Sequence, residues 1–146
     1  MSVLKSKREL AKTQFLENLR VIEDEVSAWC ESQSRKHDNY GLADFANDIR
    51  QAHLHAVLAN QKYISFKEDV DFRRDHFDYA IGYLQMFNIE LDRIKKSNRF
   101  HLSNTKVKRW MDLERKTRNQ IAAIKKSDSK RRKDLKSRDE VESEED

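Results

Sequence analysis

Proline is absent from this 146-residue chain, and glycine occurs only twice. The usual breakers of helices and makers of tight turns are nearly missing, which argues against turn-rich β architectures and leaves no glycine-rich loop to cradle a phosphate. Cysteine occurs once, at Cys30. A lone thiol makes no internal disulfide, fits a reducing compartment and, beside Trp29, reads as a small apolar filler. Long hydrophobic runs are missing too. The start, Met1-Ser2-Val3-Leu4-Lys5, has no apolar core of signal-peptide length, and no stretch approaches a membrane span. The expectation is a soluble, cytoplasmic protein with no membrane partner.

What the chain does have is charge. Asp, Glu, Lys and Arg make up 38% of it, with a net charge of +4. That composition favours long amphipathic helices with solvated outer faces, and the length suffices for one domain with its own core.

Four helical runs follow from the spacing. The first opens on Ser6-Lys7-Arg8-Glu9, a capping-box pattern, and turns Ala11, Phe15, Leu19, Ile22, Val26 and Trp29 inward before ending near Ser34. After a loop from Lys36 to Gly41, the second runs from about Leu42 to Tyr63 with Leu42, Phe45, Ile49, Ala52, Ala56 and Ala59 on one face. Leu54, Val57 and Leu58 widen its apolar surface, enough to suit another copy of the protein. The third, from Glu68 to Lys96, is the best patterned, with Val70, Phe77, Ile81, Leu84, Phe87, Leu91 and Ile94 on one stripe. Ser65-Phe66-Lys67-Glu68 caps it, and Glu68, Asp69, Asp71, Asp75 and Asp78 complement the positive end of its dipole. The fourth starts near Thr105. Its inward side carries Val107, Trp110, Ile121 and Ile124 but is interrupted by Glu114, Thr117 and Arg118. Such a seam either packs loosely or faces a polar groove between protomers. From Lys125 the apolar signal stops. The fold expected is all-α: an up-down-up-down four-helix bundle over 1–126, then a disordered or frayed charged tail over 127–146, with fraying around Ser127 to Leu135.

Positive charge is the main functional signal. Lys108, Arg115 and Lys126 fall on nearly one line of the fourth helix, flanked by Arg109 and Lys116 with Asp112 between them. Lys5, Lys7 and Arg8 stand at the other end of the chain, and Lys130, Arg131, Arg132 and Lys133 follow the fourth helix. Antiparallel packing gathers these groups, and a basic face beside an exposed Phe100 or Tyr63 suits the phosphates and bases of RNA or DNA. Six phosphate contacts imply an affinity loss of about a thousandfold between about 50 and 200 mM salt. The bland alternative is a solubilising face on a protein–protein interaction scaffold. Beyond the bases, Asp139, Glu140, Glu142, Glu144, Glu145 and Asp146 are positioned to fold back and mask them.

Metal and catalytic patterns are weaker. No histidine has a glutamate three residues before it, so the pairing of a di-iron bundle is missing, and His53 and His55 point to different sides of one helix. No metal ligand set and no cofactor is expected. Arg50 and His55 match the loose R-x4-H spacing of the HEPN ribonucleases, helical bundles in which Arg and His promote attack by an RNA 2′-hydroxyl. Mid-helix, the two lie about 140° apart on the wheel and do not converge.

The opening Ser2-Val3-Leu4-Lys5-Ser6-Lys7-Arg8, the run Ala59-Asn60-Gln61-Lys62-Tyr63 and Arg73-Arg74 resemble a group of small bacterial four-helix-bundle proteins. These look related to accessory variability determinants, encoded beside the reverse transcriptases of diversity-generating retroelements. Bundles encoded in ribosomal RNA intervening sequences are similar. The likeness covers roughly residues 2–125 in helix order. It implies a barrel-like homopentamer with a basic surface that binds template RNA and a reverse transcriptase. The combined expectation is a non-enzymatic nucleic-acid-binding accessory protein, with the two alternatives above.

Overall fold

Apolar side chains recurring at steps of three and four make a helix with one wet and one dry side, and four such helices can close around a common interior. A computed structural model describes residues 2–34 and 41–145, with side chains for 13–34 and 41–141. Among the described residues there are five helices and no strand: α1 (Ser2–Ser34), α2 (Leu42–Gln61), α3 (Lys67–Ser97), α4 (Asn104–Arg132) and the short α5 (Arg138–Glu145). The first four form the expected bundle. Each packs on its neighbour in sequence, and α4 closes back on α1.

The interior is built from the anticipated seams. Phe15, Leu19, Ile22, Val26 and Trp29 of α1 meet Leu42, Phe45, Ile49, Ala52, Ala56 and Ala59 of α2, all buried. The three alanines let α3 approach closely. Aromatic rings dominate one half of the bundle: Phe45 stacks on Phe87 with centroids 4.8 Å apart, and Trp29 meets Trp110 edge-on at 6.1 Å. Both indole N–H groups find acceptors, Trp29 on the His101 carbonyl and Trp110 on the Glu25 carboxylate. Ile81 is only half-buried and Ala80 takes the inner position on α3. Cys30 is buried as expected, and burial pushes its thiol pKa up to about 12.

Helix ends depart from the sequence reading in instructive ways. α1 already begins at Ser2, so Ser6 sits inside it; that expected box, with Ala11, has side chains outside the described residues, as do residues 36–40 of the first loop. At α3 the cap shifts by one position. Phe66 is the N-cap, and the Asp69 carboxylate accepts from the backbone N–H of Ser65 and Phe66, both at 2.9 Å. Ser103 caps α4 by accepting from the Lys106 N–H. The expected fraying from Ser127 is replaced by helix as far as Arg132, because Asp128 is anchored in the interior. The chain then turns onto the start of α3: Lys67 donates to the Lys136 carbonyl, and the Arg138 N–H to Glu68.

One buried acid on the α2 seam opposes the fold. Asp48 is 6% exposed, and burial, then Glu90 and Asp44, pushes its carboxyl up to about 6 from an ordinary value near 3.8. A raised carboxyl pKa means that the native state favours the protonated form. The contribution of Asp48 itself is therefore most favourable below pH 3.8, falls as the carboxyl ionises in the unfolded chain, and reaches its low plateau above about pH 6. Asp48→Asn is expected to raise the Tm by about 3 °C at pH 7.5, a gain that vanishes near pH 4. Thermal unfolding at the two pH values checks this.

Candidate nucleic-acid interface

The bases of α4 divide into two groups once the helix is packed. Along its middle they are occupied. Arg109 forks onto Glu25 of α1 with contacts of 2.8 and 2.7 Å, and this pairing, aided by Trp110, holds the Glu25 carboxyl below its usual range. Lys116 and Arg115 share Asp112, whose pKa is lowered mainly by the Lys116 hydrogen bond. Arg118 reaches back to buried Glu114, which also accepts from Asn88 of α3 at 2.7 Å. The polar stretch of the α4 seam thus finds partners within one protomer but is only partly satisfied, since Asn88 Oδ1, Glu114 Oε1, Arg118 Nε and Gln120 Oε1 are buried without a hydrogen bond among the described residues; it lies in a groove against α3 that Lys108 and Arg115 also line.

Acids of α3 account for more bases. Asp71 holds Arg132 at 2.9 and 3.1 Å, which lowers the Asp71 pKa, and Asp78 holds Lys125. The acidic cluster read as dipole complement therefore also clamps α3 to α4. Among the described residues, no group of three or more His, Cys, Asp or Glu is placed to hold a metal.

The second group is free. Lys108, Lys126, Lys130, Arg131 and Lys133 are exposed and make no ion pair with any described carboxylate. Lys126, Lys130 and Lys133 follow steps of four and three and so share one stripe near the end of α4. Arg131 lies about 100° or more around the helix from that stripe, and of these cations it alone lines a cleft of about 440 Å³ with Asn60, Lys62, Tyr63, Ser127 and Asp128 among its walls. Tyr63 is 81% exposed at this cleft. Phe100, the other expected stacking ring, is instead half-buried against Trp29. Lys5, Lys7 and Arg8 carry side chains outside the described residues.

The wall of the cleft was not anticipated. Arg73 of α3 is buried; its Nε donates to the Asp128 carboxylate at 2.8 Å and its Nη1 to the Ala59 carbonyl at 3.0 Å. One guanidinium so ties α2, α3 and α4 together at the end where the free bases gather. A signal was present: Arg73 lies three beyond Val70 and four before Phe77 on the inward stripe of α3, and Asp128 lies seven beyond Ile121 on that of α4. Opposite charges on two facing seams are a pair waiting to form.

Arg50 and His55 part company. Arg50 leans toward Glu23 of α1, while His55 meets His76 of α3. His53 takes Glu23 as its partner, so the two histidines of α2 do face different neighbours. None of the helices is long and apolar enough to cross a membrane, among the described residues. No family model, curated protein or solved structure matches this chain.

Proposed function

We propose that this is a cytoplasmic, non-enzymatic accessory protein that binds RNA or DNA through the end of α4. The observation that carries the reading is a set of four exposed cations near the end of α4 with no ion pair among the described residues: Arg131, which lines a cleft with an exposed tyrosine, and Lys126, Lys130 and Lys133, which form a stripe on another side of the helix. Bases already held by carboxylates must exchange one partner for another, so Arg109, Arg115, Lys116 and Arg132 contribute less to a phosphate than free ones do. Four contacts predict an affinity loss of about a hundredfold between about 50 and 200 mM salt. Anisotropy of labelled RNA and DNA at the two concentrations measures it. Replacing all four cations with alanine lowers the slope by about four; a flat response in the unaltered protein removes the proposal. In the same titration, ending the chain at Arg138 raises affinity if the acidic end competes for the cleft.

From the resemblance comes the protein partner, a reverse transcriptase of a diversity-generating retroelement. Self-association is supported separately, by the outer side of α3. Phe72, Tyr79 and Met86 recur there every seven residues, each at least 38% exposed, with Leu54 and Leu58 of α2 exposed as well. Exposed apolar residues in one heptad line are what a partner helix covers. Tyr79→Glu with Met86→Glu is expected to convert an oligomer into a 17.5 kDa monomer in sedimentation velocity. If the unaltered chain already sediments as a monomer, the oligomer is discarded and nucleic-acid binding stands alone.

A further inference from the structure

Beside the exposed apolar residues of α2 and α3 lies a pair of imidazoles that the nucleic-acid reading does not use. His55 of α2 and His76 of α3 are half-buried and meet head-on, with their Nδ1 atoms 2.9 Å apart. This is a hydrogen bond in which one ring donates Nδ1–H and the other accepts. Aromatic rings enclose it: Tyr83 lies parallel to His55 with centroids 5.8 Å apart, Tyr79 tilts against it at 5.1 Å, and Phe72 meets His76 at 4.4 Å. Phe72 and Tyr79 belong to the exposed heptad line of α3, so the pair adjoins the face assigned above to self-association.

Geometry limits how many protons this pair can hold. In the neutral pair the donor ring keeps a free lone pair on Nε2. A first proton added there leaves the Nδ1–H···Nδ1 bond intact and makes it charge-assisted. A second proton has only the accepting Nδ1 to go to. It replaces the lone pair with another N–H, and two cationic rings then face each other donor to donor. Like charges at this spacing in a partly dry site repel strongly.

No carboxylate among the described residues pairs with either ring to offset that charge. One helical turn from His55 on α2 stand Gln51, Ala52, Leu58 and Ala59, none of them charged. On α3 the corresponding neighbours of His76 are Phe72, Tyr79, Ala80 and Arg73, whose guanidinium is turned onto Asp128. Asp75, next to His76 in sequence, is exposed and pairs with Arg74, while Lys62 lies over Phe72 as a further cation. Charges that α1 and α4 bring are held elsewhere: Glu23 by His53, Lys125 by Asp78 and Arg132 by Asp71. Burial, then His76, holds the His55 imidazole below its ordinary range, in keeping with this.

We propose that His55 and His76 form a proton-operated latch between α2 and α3: it holds with one added proton and opens with two, so acid disperses the assembly that the adjoining face builds. The second half rests on the self-association read from that face; the latch itself does not. The sign follows from linkage. Below the ordinary histidine value of 6.5 the unfolded chain binds both protons, whereas the closed pair resists the second. The pair's contribution is therefore complete above that pH and is lost as pH falls.

The test compares the full chain with His76→Gln at pH values of about 7.5 and 5.5, on either side of the ordinary histidine range, by thermal unfolding and by sedimentation velocity. Glutamine keeps a polar group against His55 Nδ1 but takes up no proton. Other groups that titrate in this range, Asp48 among them, are present in both proteins and cancel in the comparison. On acidification the Tm of the unaltered chain should fall by about 3 °C more than that of the variant. Its dissociation constant should rise about tenfold more. His55→Gln gives the same two readouts from the other helix, should His76→Gln weaken the seam at both pH values. Equal Tm changes in the unaltered chain and both variants overturn the latch. An assembly that survives acidification unchanged overturns its coupling to that face. Monomers at both pH values with unequal Tm changes uphold the latch and discard the self-association reading.

Discussion

Trp110→Ala is expected to lower the unfolding free energy by about 3–5 kcal/mol, the range for truncating a large buried aromatic. The indole is fully buried in α4 and touches Trp29 of α1 and Phe45 of α2, with centroids 6.1 and 6.3 Å away. It is therefore the side chain that seats α4 on the aromatic half of the core. The flanking seam residues Val107 and Leu113 are only partly buried, and Glu114 and Thr117 are polar, so few apolar neighbours can collapse into the space left behind. Glu25 adds a second consequence: it accepts from the Trp110 indole and from Arg109, so the α1–α4 contact loses one of its two donors. Trp110→Phe should retain most of the stability, losing a hydrogen bond worth about 1 kcal/mol and part of the packing. Urea unfolding of the three proteins measures the difference. A loss below 1 kcal/mol for the alanine variant would mean that α4 is held mainly by its ion pairs.

Breaking the pair at the other end of α4 is expected to cost a similar amount. Arg73→Met leaves the Asp128 carboxylate without its partner in a buried site, and Asp128→Asn does the same to the guanidinium; each should cost about 3–5 kcal/mol. Arg73 also donates to the Ala59 carbonyl at the end of α2, so the Arg73 variant should be the worse of the two. The discriminating measurement is the double variant Arg73→Met with Asp128→Leu. Removing both charges together removes the desolvation cost as well, so much of the lost stability should return. A double variant as unstable as the sum of the singles would instead mark the site as one that needs a polar group of this shape. Because the pair walls the cleft, the single variants should also weaken the proposed RNA binding beyond the effect of global stability, read at a temperature where all variants are folded.

Much of the architecture was legible from spacing alone. Every seam residue named for α2 is buried, and Phe15, Leu19, Ile22, Val26 and Trp29 of α1 are too. A 3.6-residue period in apolar residues is a local property, and burying the resulting stripe is its only low-energy outcome. Legibility fell where ions decide. Lys108, Arg109, Arg115, Lys116 and Lys126 look alike on a helical wheel, yet Arg109 is held by Glu25, 84 residues away, while Lys126 has no partner among the described residues. The fourth helix was expected to fray at Ser127 because its apolar residues run out there. It persists because Asp128 finds Arg73, a contact 55 residues distant in sequence.

By itself, the sequence determined that this chain is helical, that four amphipathic helices share one core, and that basic residues cluster towards its end. Those follow from composition, periodicity and the scarcity of residues that break helices. Tertiary structure alone decided which bases lack an ion pair among the described residues, that Tyr63 rather than Phe100 stands open, in the cleft that Arg131 lines, and that His55 meets His76. The physical reason is that a charge or a ring nitrogen acts through whatever lies within a few ångströms of it, and helix packing brings those neighbours from remote parts of the chain.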